Sequence, residues 1–159
     1  MSVRSTVKAI IIDKDKILLN KCYDKYNGDY YSLPGGGQDK YESIYDAIIR
    51  ECKEETGYNV IPTRFCGICE EICDNEETRT FYSKYAHKLY HLFICKLEND
   101  LVDEPTSIDD MQEESHWINI EDLNNIKILP TSLGDNIYKM IKDELVLDLG
   151  STHIPYNHG

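Results

Sequence analysis

Between Ser43 and Gly57 an apolar helical pattern is interrupted by charge. Ile44, Ala47, Ile48 and Cys52 share this stretch with Arg50, Glu51, Glu54 and Glu55. With residues about 100° apart around a helix and Glu51 as origin, Ile44 lies at about 20°, Ala47 at about −40°, Ile48 at about 60° and Cys52 at about 100°. Glu55 falls at about 40°, inside that apolar arc, and Glu54 at about −60°, on its edge. Three like charges within one turn repel, and partly burying them is costly unless a cation compensates. Grouped hard oxygen ligands select a hard cation, so Mg²⁺ is the natural partner, with Mn²⁺ as a substitute. Arg50, four residues before Glu54, can hold one carboxylate, but one guanidinium does not neutralise three. A solvated helix end is the competing reading of any Glu-rich stretch. Two features weigh against it: glutamates near a helix C-terminus oppose the macrodipole, and Gly35-Gly36-Gly37, just ahead, lets backbone approach a ligand closely.

The elements that must position these groups follow from local patterns. Thr6 to Ile12 and Ile17 to Tyr23, joined by the turn Asp13-Lys14-Asp15-Lys16, read as a hairpin. Tyr30 to Leu33 is a short strand ended by Pro34 and the glycines. Ser43 to Thr56 is a helix stopped by a left-handed cap at Gly57. Strands are expected at residues 63–73 and 87–97, separated by a polar loop that carries Tyr82 and Tyr85, where a tyrosine could stack on a base. A strand near Ser115 to Ile118 and a short helix near Glu121 to Asn125 come next. Thr131 or Ser132 then caps a last helix with the apolar stripe Leu133, Ile137, Met140, Ile141 and Leu145, beside which Trp117 is expected to pack. Residues 148–159 read as a flexible C-terminal tail, leaving one domain over 1–147. Strands flanked by helices on both sides of the chain imply an α/β fold with a mixed sheet between helices.

Composition narrows the function. The 159 residues suit one domain. The net charge of −12 argues against a nucleic-acid polymer as partner, because such binding draws on Lys and Arg. A small phosphorylated ligand remains compatible if a divalent ion screens it. Residues 98–114 hold eight of the acids and no Lys or Arg, either a solvated loop or a cation site. No apolar run approaches the ~20 residues of a membrane span, and the six cysteines are expected as reduced thiols in a cytoplasmic protein. Cys66 and Cys69 should lie on opposite strand faces and so not chelate together. His87 and His91, ~13 Å apart at strand spacing, are too distant for one metal.

The glycine loop and the charged turn together have a recognisable form. Gly36, Glu42, Arg50, Glu51, Glu54, Glu55 and Gly57 occupy all seven fixed positions of the Nudix box, which the segment Gly36 to Tyr58 closely resembles. Its two aliphatic positions hold Cys52 and Tyr58, which calls for packing adjustments only. The leading hairpin and the stretch Gln112 to Leu123 are similar to the family as well. The resemblance implies a Nudix fold, an α/β/α sandwich with a mixed β-sheet, and Mg²⁺-dependent hydrolysis of a nucleoside diphosphate linked to another group. On that resemblance Gly36, Glu51, Glu54 and Glu55 hold metal, Arg50 orients a glutamate, Glu42 supports the site, and Gly36 and Gly37 place backbone near metal or phosphate. A general base outside the box is expected from Glu113 or Glu114, with Glu55 as rival. Asp109-Asp110-Met111-Gln112 followed by Trp117-Ile118 and Leu129-Pro130 is similar to ADP-ribose pyrophosphatases. The alternatives are a nucleoside triphosphate pyrophosphohydrolase that sanitises the nucleotide pool, and a non-hydrolytic nucleotide sensor, which would be expected to lack box glutamates. Homodimers are frequent in the family.

Overall fold

The computed structural model describes residues 2–108 and 111–158. Arg4–Asp13 (β1) and Lys16–Asp24 (β2) form the expected hairpin, turning at Lys14 with φ 57°. Gly28–Ser32 (β3) pairs antiparallel with β2, and Gly35–Gly37 (β4) returns against β1. After the helix Ile44–Thr56 (α1) come Tyr58–Cys73 (β5), the short helix Glu76–Phe81 (α2), His87–Val102 (β6) and Gln112–Asn119 (β7). Short helices Thr131–Gly134 (α3) and Ile137–Lys142 (α4) precede the final strand Leu147–Ile154 (β8). The sheet order is β3-β2-β1-β6-β5-β8, with β4 on β1 and β7 on β2. The β1–β6 and β5–β8 pairs are parallel and the others antiparallel, so the sheet is mixed.

Period-two alternation along the central strands builds a core on each face. Val7, Ala9 and Ile11 of β1, with Phe93 and Cys95 of β6, bury against Ala47, Ile48 and Cys52 of α1. Ile10 and Leu92 face the other way, into Leu133, Ile137 and Met140 of α3 and α4 and Leu123 of the preceding turn. Each fully buried Ile or Leu contributes about 1.5–3 kcal/mol, so α1 is clamped on one side and the late helices on the other. Both ends of α1 are fixed by local chemistry. Ser43 Oγ accepts the Asp46 amide at 3.0 Å, and Gly57, at φ 78°, donates to the Lys53 carbonyl at 3.0 Å. Lys53 pairs with Asp103, and the Thr106 and Ser107 amides both donate to the Glu54 carbonyl, at 2.9 and 3.0 Å. The acidic loop thus packs on the C-terminal end of the helix.

Several expectations are corrected. The last helix is two short ones, begun at Pro130 without a side-chain cap from Thr131 or Ser132 and interrupted at Asn136, whose Nδ2 donates to the Ser132 carbonyl at 2.7 Å. The polar loop contains α2, capped by Asn75 Oδ1 on the Thr78 amide at 2.9 Å; it buries no residue, so no apolar period announces it. Trp117 packs on the α1 side and donates from Nε1 to Tyr58 Oη at 3.1 Å, which gives the unusual Tyr58 its role. A bulge between Phe65 and Gly67 turns Cys66 and Cys69 into one core cluster, where burial pushes their thiols up to about 11 and about 12. The expected flexible tail is corrected over residues 148–154, which lie in β8, and by His158, which is buried. Among the described residues no helix is long and apolar enough to cross a membrane.

Candidate active site

A cleft of about 790 Å³ opens where β4 and the last turn of α1 meet the starts of β1 and β6. Its acidic wall is organised by Arg50. The guanidinium donates to Glu42 from Nε at 2.7 Å and Nη2 at 2.9 Å, to Glu51 at 2.9 Å, to Glu54 at 3.3 Å and to the Gly37 carbonyl at 3.0 Å. Glu42 also accepts the Asp39 amide at 3.0 Å. Its bonds from Arg50 outweigh the effect of burial and hold its carboxyl below the usual range. Glu51 and Glu54 line the cleft beside Gly36 and Gly37. Glu55 turns inward instead: it is 3% exposed, accepting the Gly35 amide at 2.8 Å and Asn20 Nδ2 at 3.3 Å. The helix thus grips the glycine loop at Gly35 through Glu55 and at Gly37 through Arg50.

The donor set suits a hard divalent ion. Glutamate oxygens gather on one turn, and at Gly36 a Cβ would sit 2.5–2.7 Å from the Glu51 carboxylate, so only glycine lets that group lie against the loop. Among the described residues no three His, Cys, Asp or Glu side chains close on one point. Arg50 and the Gly35 amide engage the three carboxylates in different directions.

Opposite this wall the floor is basic. Arg4, Thr6 and Lys8 share one face of β1, and the parallel register sets Arg4 beside Lys88 and Thr6 beside Tyr90 on β6. Lys8 is buried, with Nζ donating to the Leu33 carbonyl at 3.1 Å. Burial lowers the Lys88 ammonium to about 8 although Glu71, 3.7 Å away, opposes the shift. Burial would raise Glu71, but the hydrogen bond and charge of His158, with Lys88, bring it down to about 2. Tyr90 Oη and His158 Nε2 each lie 2.6 Å from that carboxylate.

The structure brings Gly36, Gly37, Glu51, Glu54, Tyr82 and Tyr85 together around one cleft, with Arg50 directly behind. Tyr85 carries the Arg4 guanidinium 4.9 Å above its ring. Glu113 is not brought in. It is exposed on β7 and absent from the lining, while its neighbour Glu114 pairs with His116 at 2.9 Å. Asp109 and Asp110 lie outside the described residues. Reading the sequence missed Arg4, Lys8, Lys88, Glu71, Tyr26, Tyr156 and His158. Only the lysine and arginine on alternate positions of β1, in a strand otherwise aliphatic, could have pointed to the floor.

The NUDIX domain family model matches residues 3–143. RNA pyrophosphohydrolase of Pelagibacter ubique (strain HTCC1062) is 28% identical over 151 residues, covering 91% of this chain and 92% of that protein. "Putative nudix hydrolase 1" of Caenorhabditis elegans is 30% identical over 117 residues, 73% of this chain, and the chain spans 27% of that relative's length. The crystal structure of an ADP-ribose pyrophosphatase from Streptococcus suis 89-1591 shares the fold with a TM-score of 0.58 at 22% identity, covering 95% of this chain and 100% of that one.

Proposed function

The chain belongs to the NUDIX domain family, and we propose that it is a pyrophosphohydrolase whose substrate is a nucleoside diphosphate joined to another group, cleaved with Mg²⁺ bound. ADP-ribose is the member of that class to test first. The observation that carries the reading is the opposition, across one cleft, of the Glu51 and Glu54 wall to the Arg4, Lys8 and Lys88 floor. An anionic diphosphate needs cationic contacts on one side, and a carboxylate wall tolerates it only through an intervening divalent ion.

Glu51 and Glu54 would hold Mg²⁺, or Mn²⁺ in its place. When bound, the ion screens phosphate oxygens and lowers the pKa of the attacking water. The chain's own residues do the rest. Arg50 holds both carboxylates at the cleft, and Glu55 pins the loop that bears Gly36 and Gly37. Arg4 and Lys8 hold the diphosphate against the floor. Water oxygen attacks one phosphorus, the bridging P–O bond breaks, and two phosphorylated products leave; the water's proton would pass to a cleft carboxylate, Glu54 being the candidate through whichever oxygen does not hold the ion. Glu55 is committed to two donors and Glu113 stands outside the cleft.

A second reading is favoured by the number of floor cations and by the relative whose name describes an RNA pyrophosphohydrolase: a triphosphate substrate, from which pyrophosphate or phosphate is released. The protein's net charge of −12 disfavours a long polymer on this cleft. Purified protein with Mg²⁺ is to be incubated with ADP-ribose, a deoxynucleoside triphosphate panel and a 5′-triphosphorylated oligoribonucleotide. AMP from ADP-ribose supports the first reading, preferential turnover of a triphosphate replaces it with the second, and no turnover of any of them refutes both.

A further inference from the structure

The chain beyond β8 does not leave the fold. The Asp74 amide donates to the Ile154 carbonyl at 2.8 Å, and residues 155–158 then run along the cleft. Tyr156 stacks on Tyr26 with ring centroids 4.2 Å apart and planes within 5°. His158 is 5% exposed; its Nε2 lies 2.6 Å from Glu71 and its carbonyl accepts from Lys88 Nζ at 3.2 Å. Its ring also meets Tyr30 edge-on at 6.3 Å. Asn157 lies between these anchors and lines the cleft, and its Oδ1 is buried with no hydrogen-bond partner among the described residues.

A buried carboxylate such as Glu71, 1% exposed, is tolerated only when surrounded by donors. Here one of those donors is His158, 87 residues farther along the chain. A segment resting loosely on a surface does not complete a buried ionic cluster, so residues 155–158 are seated to a defined depth, and that seating fixes where Tyr156 and Asn157 stand. Both then face the same cavity as Glu54 and Arg4.

We propose that residues 155–158 form one wall of the substrate cleft, with His158 as the positioning residue that seats them and Tyr156, paired with Tyr26, as the side chain that selects which groups fit. The proposal rests on the reading of this cleft as the substrate site. An acceptor at Asn157 without a partner among the described residues suits a donor on the bound molecule, such as a ribose hydroxyl or an exocyclic amine.

The test compares the full chain with His158→Ala, His158→Gln, Tyr156→Ala and a chain ended after Ile154, using ADP-ribose and dATP with Mg²⁺. Loss of the segment and His158→Ala are expected to raise KM for ADP-ribose about tenfold while kcat falls no more than about threefold. His158→Gln, which retains an amide donor for Glu71, should recover most of that KM. Tyr156→Ala should change the ratio of kcat/KM between the two probes by about fivefold. KM values within about twofold of the full chain for both the shortened chain and His158→Ala overturn the proposal. If the shortened chain fails to fold, an unchanged probe ratio in Tyr156→Ala overturns it instead. Should the full chain hydrolyse neither probe, the hydrolytic reading fails separately. The wall is then judged by amide exchange: slowing at residues 156–158 on adding ADP-ribose with Ca²⁺ supports it, and no slowing overturns it.

Discussion

The two charged clusters that face each other across the cleft are built in opposite ways. In the wall, like charges come from one short stretch, Glu42 to Glu54, and Arg50 reaches no farther in sequence than Gly37, 13 residues away. In the floor, unlike charges come from three distant parts of the chain, and His158 meets Glu71 across 87 residues. In the wall, Glu42, Glu51 and Glu54 share the Arg50 guanidinium, three negative charges to that one positive charge. Beside the floor cations Arg4 and Lys8, Glu71 is paired with Lys88, Tyr90 and His158 until little of that cluster's charge is left over. A cluster with surplus charge is suited to chemistry, whereas a balanced and buried one fixes shape.

The sharpest test of that contrast is Glu54→Gln. Removing a surplus charge should leave the melting temperature unchanged or slightly raised, because it relieves repulsion within the turn. Turnover should fall about a thousandfold or more, roughly 4 kcal/mol of transition-state stabilisation. Steady-state kinetics and a thermal melt on the same preparation check both halves. An active Glu54→Gln variant would remove the wall from the mechanism.

The floor should respond the other way, in stability. Glu71 has a folded pKa of about 2, below the ordinary 4.5. Between those values the unfolded chain binds more protons than the folded one, so stability rises with pH across that window. Its contribution is complete above pH 4.5 and is lost as pH falls through about 2, amounting to about 3 kcal/mol. Glu71→Gln should flatten the acid limb of a denaturation profile and lower stability at neutral pH. An unchanged acid limb would mean that the buried cluster does not hold the fold.

Legibility in the sequence followed the same division. The α1 segment announces itself within 15 residues: Ser43 caps it, Gly57 stops it, and the glutamates sit inside its apolar arc. The hairpin of β1 and β2 is equally local. β8 is not, since Leu147 to Ile154 has little apolar alternation and becomes a strand only because β5 offers a parallel edge some 80 residues earlier. The placement of Cys66 with Cys69 depends on a bulge that strict alternation cannot foresee. Lys88 and Glu71 read as ordinary surface charges until the end of the chain folds back over them. The glutamate wall was therefore visible from spacing alone, while the floor needed the tertiary register of β1 on β6.

Arg50→Lys probes the guanidinium clamp of the wall with charge conserved. A lysine cannot present two parallel donors to Glu42 and also span Glu51, Glu54 and the Gly37 carbonyl. Loss of these charge-assisted bonds should lower stability by about 2 kcal/mol in chemical denaturation. Turnover should fall with it, because the glycine loop loses one of its two ties to the helix. A variant as stable as the parent would show that the wall's carboxylates need no common clamp.

The smallest expected effect lies at the rim, between the two clusters. Tyr82 is 60% exposed and lines the cleft from the end of α2, where it supports neither core. Tyr85, 40% exposed, differs because Arg4 of the floor rests on its ring. If the rim only contributes stacking area to a bound nucleotide, Tyr82→Ala should raise KM about threefold and leave kcat and the melting temperature unchanged. Tyr85→Ala should raise KM further, because it also releases Arg4 from its cation–π contact. Equal effects of the two substitutions would show that Arg4 is held by the floor alone, and no effect of either would place the base elsewhere in the cleft, toward Tyr26 and Tyr156.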